Sequence, residues 1–133
     1  LATNVTSNGY AMAAETAAEI DCTFDAEGGP HALETALNRI RQEAEDAVRG
    51  GCTHVILSDM AASPERCGMP MILATGAVHS HLVRQQLRTF TSINVRCGEC
   101  LDVHYFAVLI GVGGTICTHS ILPWSPFCSS QTS

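Results

Sequence analysis

The sequence has no lysine. Its seven basic residues are all arginine, and against thirteen acidic residues they leave a formal charge of −6. The basic footprint that nucleic acid requires is therefore missing, and no nucleic-acid partner is expected. The lysine-free bias points to a GC-rich coding sequence more readily than to a function. Charged residues make up 15% of the chain and aromatic residues 5%. Long apolar runs are missing as well. The longest, Val103 to Val112, is broken by His104 and Gly111, well short of the roughly 18 residues of a membrane span. No membrane partner is expected. Residues 1–19 carry neither a charged leader nor a continuous apolar stretch, so no secretory signal is expected there. Asn4-Val5-Thr6 fits a glycosylation sequon without a secretory context to use it.

What is present is apolar and rich in thiols. Hydrophobic residues are 46% of 133, enough for one domain with its own core. The seven cysteines (Cys22, Cys52, Cys67, Cys97, Cys100, Cys117 and Cys128) are odd in number and widely spread. They show no disulfide-framework spacing and read as reduced thiols of a cytoplasmic protein.

The stretch from His31 to Asp59 organises the rest. Leu33, Ala36, Leu37, Ile40, Ala44, Ala47 and Val48 recur at helical spacing. Pro30 suits a first helical turn, and Gly50-Gly51 offers the left-handed conformation that closes a helix. Val55-Ile56-Leu57 then reads as a short buried strand ending in Ser58-Asp59, half of a βαβ unit. The helix's charged residues read as a solvated face. Before it, Glu19 to Phe24 alternates and reads as a first strand. After it, Met60 to Gly68 reads as a loop. Met71-Ile72-Leu73-Ala74 reads as a second apolar run turned by Thr75-Gly76, and Ala77 to Arg88 as a helix. Ser92 to Arg96 is a further strand, Leu101 to Gly111 a helix apolar nearly all round and hence buried, and Ile116 to Leu122 a last strand.

Strands alternating with helices imply an α/β fold: an open, mostly parallel sheet with crossover helices, resembling part of a (β/α) barrel. The expected organisation is a flexible arm over 1–18, the α/β domain over 19–114 and a separate tail over 115–133.

Several runs carry a family resemblance. They are IDCTF at 20–24, QEAEDAV at 42–48, HVILSD at 54–59, MPMILATGAVHSHLVRQQLRT at 69–89 and VRCGECLDVHYFAVLIGVG at 95–113. In content and spacing they resemble the central domain of the glutamate synthase large chain, over Ile20 to Gly113. Met60 stands where that family has arginine, Tyr105 stands where it usually has a second histidine after His104, and the tail GTICTHSILPWSPFCSSQTS replaces its continuation, as a frameshift or junction would. The resemblance implies an α/β domain related in topology to the FMN barrel. Such a domain joins a glutaminase domain to a synthase domain carrying FMN and an iron–sulfur cluster. The parent reaction turns glutamine and 2-oxoglutarate into two glutamates. The glutaminase and synthase domains are then the expected partners, with no cofactor and no catalysis in this piece and a homo-oligomer expected from surfaces that lack neighbours.

Other chemistry is weighed beside it. Cys97-Gly98-Glu99-Cys100 with His104 four residues on is a zinc-like spacing, which Cys117 and His119 could complete. Asp59, His79, His81 and His104 are the candidates for a small hydrolase, with Ser58-Asp59 at a strand end. No GxSxG elbow accompanies them, and His79 and His81, two apart on a helix, point in different directions. Hydrogen bonding to the next loop is the plainer role for Asp59. Gly111-Val112-Gly113-Gly114 follows a helix rather than a strand, the wrong context for a dinucleotide fingerprint.

Overall fold

The computed structural model describes residues 16–119. Four strands form one parallel sheet. They are β1 (Ala17–Asp21), β3 (His54–Ser58), β5 (Ser92–Cys97) and β6 (Ile116–His119), in the spatial order β1-β3-β5-β6. Each is joined to the next by a helix: α1 (Ala32–Arg49), α2 (Met71–Arg84) and α3 (Val103–Gly111). Two short strands, β2 (Thr23–Asp25) and β4 (Arg66–Gly68), pair antiparallel as a separate ribbon. The open, mostly parallel α/β sheet expected from the sequence is thus present, with the strand order of a barrel segment.

Register explains why the helices share one side. Ile20 lies opposite Leu57, and Leu57 opposite Val95. These residues, with Cys22, Val55, Ile93 and Cys97, enter one core cluster with Ile40 of α1, Val78 of α2 and Leu109 of α3. Crossovers of one hand between strands laid down in sequence order require this. The alternate residues, including Glu19, Ile56, Asn94 and Arg96, point to the other face, which carries none of the three helices. In α1 the buried residues Ala36, Ile40, Ala44 and Val48 recur every four positions. The helix starts after His31 and closes at Gly51, whose φ of +98° needs glycine.

Several local expectations are corrected. Met71 to Ala74 is the first turn of α2, with Thr75 and Gly76 in mid-helix. Four apolar residues do not distinguish strand from helix, and Met71, Ala74, Thr75, Val78 and Leu82 bury on one helical stripe. The same helix ends at Arg84 rather than Arg88. The first strand divides at Cys22, because β1 joins the parallel sheet and β2 leaves it for the ribbon. Ala17 and Ala18, placed in the arm, pair with His54 and Val55. The Met60 to Gly68 loop contains β4. Helix α3 buries only Leu109 completely, leaving Val103 83% and Ile110 57% exposed. The arm's residues 1–15, the tail beyond His119 and Cys128 lie outside the described residues. No helix among those described is long and apolar enough to cross a membrane.

Candidate functional site

Parallel α/β sheets place ligand groups at the C-terminal ends of their strands. Here that edge is made by Asp21-Cys22, Ser58-Asp59 and Cys97-Gly98, and the backbone ties it together. The amide of Cys22 donates to the Ser58 carbonyl at 2.8 Å, that of Met69 to the Cys22 carbonyl at 2.8 Å, and that of Asp59 to the Arg96 carbonyl at 3.3 Å. Asp59 is 3% exposed. Its two carboxylate oxygens accept from the Gly98 amide at 3.3 and 3.2 Å, bridging the end of β3 to the turn after β5.

The Cys97–Cys100 turn is held from two sides. Besides the bond to Asp59, the Glu99 Oε1 accepts the Met71 amide at 2.9 Å. That contact caps α2 from another element, where Pro70 at the N-cap offers no side-chain bond. Burial pushes the Cys97 thiol far up, and Cys100 lies beside it. Cys100 and Cys117 are raised by burial too. Burial also raises the Tyr105 hydroxyl, and the Glu99 charge adds to it. Cys22 is pushed up to about 12 by burial. Burial thus disfavours the thiolate form at Cys22, Cys97, Cys100 and Cys117. His104 is exposed on the first turn of α3. Among the described residues no group of three or more His, Cys, Asp or Glu stands where it could hold a metal ion.

The histidines go to separate partners. His81 Nε2 lies 2.7 Å from Glu45 Oε2 and clamps α2 to α1, and that contact lowers the Glu45 carboxyl. His79 Nδ1 accepts from Arg88 Nε at 2.9 Å. Burial first, and then the Arg88 charge, lowers its proton affinity. Arg88 continues to the Thr91 carbonyl at 2.6 Å and the Gly113 carbonyl at 2.8 Å. Gly113 is the close approach this cluster needs, since a Cβ there would meet His79 Cβ at 2.6 Å and its φ is +125°.

Sequence reasoning missed the arginines. Arg39 Nη2 donates to the carbonyls of Asp21 and Thr23 at 2.8 and 3.0 Å, and Arg66 reaches Thr23 Oγ1 at 3.0 Å. They line a shallow open cleft of about 360 Å³ between the ribbon and α1. Their partners lie 16 to 43 positions away, so no local pattern announces them. A further unmatched feature is apolar: Val103, Ala107 and Ile110, spaced as one helical face of α3, all stand in solvent.

Comparison with known proteins gives a consistent result. The family model described as glutamate synthase central domain matches residues 4–130. The NADPH glutamate synthase large chain of Azospirillum brasilense is 70% identical over 101 residues, which is 76% of this chain and 7% of that protein. The chloroplastic ferredoxin-dependent glutamate synthase of Spinacia oleracea is 44% identical over 93 residues, 68% of this chain and 6% of its own. The Bacillus subtilis NADPH glutamate synthase large chain is 43% identical over 81 residues, 61% of this chain and 5% of its own. This chain therefore spans less than a tenth of the length of these curated relatives.

Proposed function

The chain belongs to the glutamate synthase central domain family, and from that premise we propose that it is a linking domain without catalysis of its own, holding a glutaminase domain and a synthase domain in register. The observation that carries this reading is the exposed face of α3. Val103 at 83% and Ile110 at 57% exposure form an apolar strip of the kind that marks a docking surface. The polar groups support it: Asp59, Glu99, His79 and His81 each make a bond that joins one element to another.

The parent's FMN and iron–sulfur cluster belong to the neighbouring synthase domain in this reading. The residues here do not suit either group. The strand ends where a barrel would receive a phosphate are bridged by backbone bonds, and among the described residues no group of three or more His, Cys, Asp or Glu that includes Cys97 and Cys100 is placed to hold a metal ion. The zinc reading of Cys97, Cys100 and His104 is set aside on the same grounds, since two of these are buried and the third is in solvent. The parent is of the NADPH type, as the higher identity to the Azospirillum protein supports. The chain works in the cytoplasm and, separated from its neighbours, self-associates.

A domain exchange tests the linking role. This chain replaces the matching segment of the Azospirillum large chain, and glutamine-dependent glutamate formation is compared with the two partial reactions. Retained coupling is expected. Val103→Asp with Ile110→Asp should lower coupling at least about tenfold, with glutamine hydrolysis and ammonia-dependent synthesis preserved. Equal coupling with and without the two aspartates would overturn the docking assignment.

A further inference from the structure

The helix-free face of the sheet has a composition that a lone domain does not explain. On it, Glu19 of β1 and Arg96 of β5 reach across the intervening strand β3, with Arg96 Nη1 3.7 Å from Glu19 Oε1. Ile56 lies between their strands, buried yet outside the core cluster. Arg96 is only 23% exposed, and its Nε is buried with no hydrogen-bond partner, as is Asn94 Oδ1. A guanidinium edge in that state calls for a second carboxylate.

The topology says where one would come from. Among the described residues, four parallel strands in sequence order with helices on one side are half of an eight-stranded barrel, and β1 and β6 are the outer strands of the sheet. In a closed barrel, each inner layer is contributed by alternate strands. The alternate strands here are β1 and β5. Two copies joined β6 to β1 at both seams would place Glu19, Arg96, the partner's Glu19 and the partner's Arg96 around one layer. Charges alternate in that ring. Each Arg96 then stands two strands from a carboxylate on either side, one in its own chain and one in the other.

We infer that the helix-free face and the edges β1 and β6 form a homodimer interface in which two copies close an eight-stranded barrel around a Glu19–Arg96 ring. This rests on the self-association proposed above and names its surface, which is distinct from the α3 face. The contact is isologous, the usual form for a two-fold dimer. Like charges facing each other in the layer would disfavour it strongly.

Charge complementation in trans tests the ring. Dimerisation of the full chain is measured by sedimentation equilibrium for the unaltered protein, for Arg96→Glu, for Glu19→Arg, and for an equimolar mixture of the two variants, with circular dichroism confirming that each is folded. The unaltered chain should dimerise. Each variant alone should weaken dimerisation at least about tenfold, because its ring carries one sign. The mixture should recover it, since each of the two seams then sets one carboxylate of one chain against one guanidinium group of the other. A role confined to the chain's own Glu19–Arg96 pair would not be rescued by mixing, and that result overturns the inference. Dimers untouched by either variant but lost in Val103→Asp with Ile110→Asp would also overturn it, leaving self-association through α3. A monomer throughout would overturn both. Where the single variants fail to fold, the double exchange Glu19→Arg with Arg96→Glu restores the alternating ring. It must dimerise like the unaltered chain, and a folded monomer would contradict the proposal.

Discussion

Asp59 shows what a buried carboxylate at a strand end does when it serves the fold. Both its oxygens accept from the Gly98 amide, so it fixes the turn after β5 to the end of β3. Replacing it by alanine leaves a buried donor unmatched, which costs about 2–3 kcal/mol. Urea unfolding should show that loss, and a change under about 0.5 kcal/mol would contradict the bridging role. His79 makes a pH-dependent contribution. Burial and Arg88 lower its proton affinity in the folded chain below the ordinary 6.5. As pH falls through that range the unfolded chain takes up the proton first, so stability is present above about 6.5 and declines below it. His79→Asn keeps an acceptor for Arg88 and should flatten the decline between about pH 7.5 and 5.5 in denaturant midpoints. An unchanged slope would contradict it. At this scale the sequence placed Asp59 at the end of an apolar strand with a bond to the next loop as its plainer role, whereas the Gly98 amide it accepts lies 39 positions on. It was silent about Arg39, Arg66 and Arg88, whose ties to Asp21, Thr23 and Gly113 run across 16 to 43 positions of the chain.

Among elements, α1 and β3 were legible because eighteen residues of helical periodicity followed by a β-branched run leave little choice. Helix α2 was not. Its first turn is apolar and too short to declare a period, and its N-terminal cap comes from Glu99, 28 positions later. That contact gives a direct check. Glu99→Ala should lower stability by about 1 kcal/mol, as loss of a helix N-cap does. The loss should appear as faster amide exchange in the first turn of α2, and uniform protection there would argue against the cap. Helix α3 was read as buried from its composition. The structure explains the misreading: apolar residues all round a helix require burial somewhere, and a sequence does not say whether the burying surface lies within the same chain.

For the whole molecule, order and composition agree. Four parallel strands in sequence order, helices on one face, a tied-off C-terminal edge and an apolar α3 face describe a domain built to be packed against. Family blocks such as MPMILATGAVHSHLVRQQLRT made the family legible. The proposed half-barrel closure was not, because it depends on which strands are neighbours and which side chains share a face. In the proposed reading the two surfaces divide the work, with the α3 strip for the neighbouring domains and the helix-free face for a second copy. The linking role is tested most directly by titrating this chain, in a calorimeter, with the glutaminase and synthase domains of the Azospirillum large chain supplied as separate polypeptides. The account predicts saturable binding to at least one of them, weakened at least about tenfold by Val103→Asp with Ile110→Asp and untouched by Arg96→Glu. No binding to either domain, or binding indifferent to the two aspartates, would contradict it.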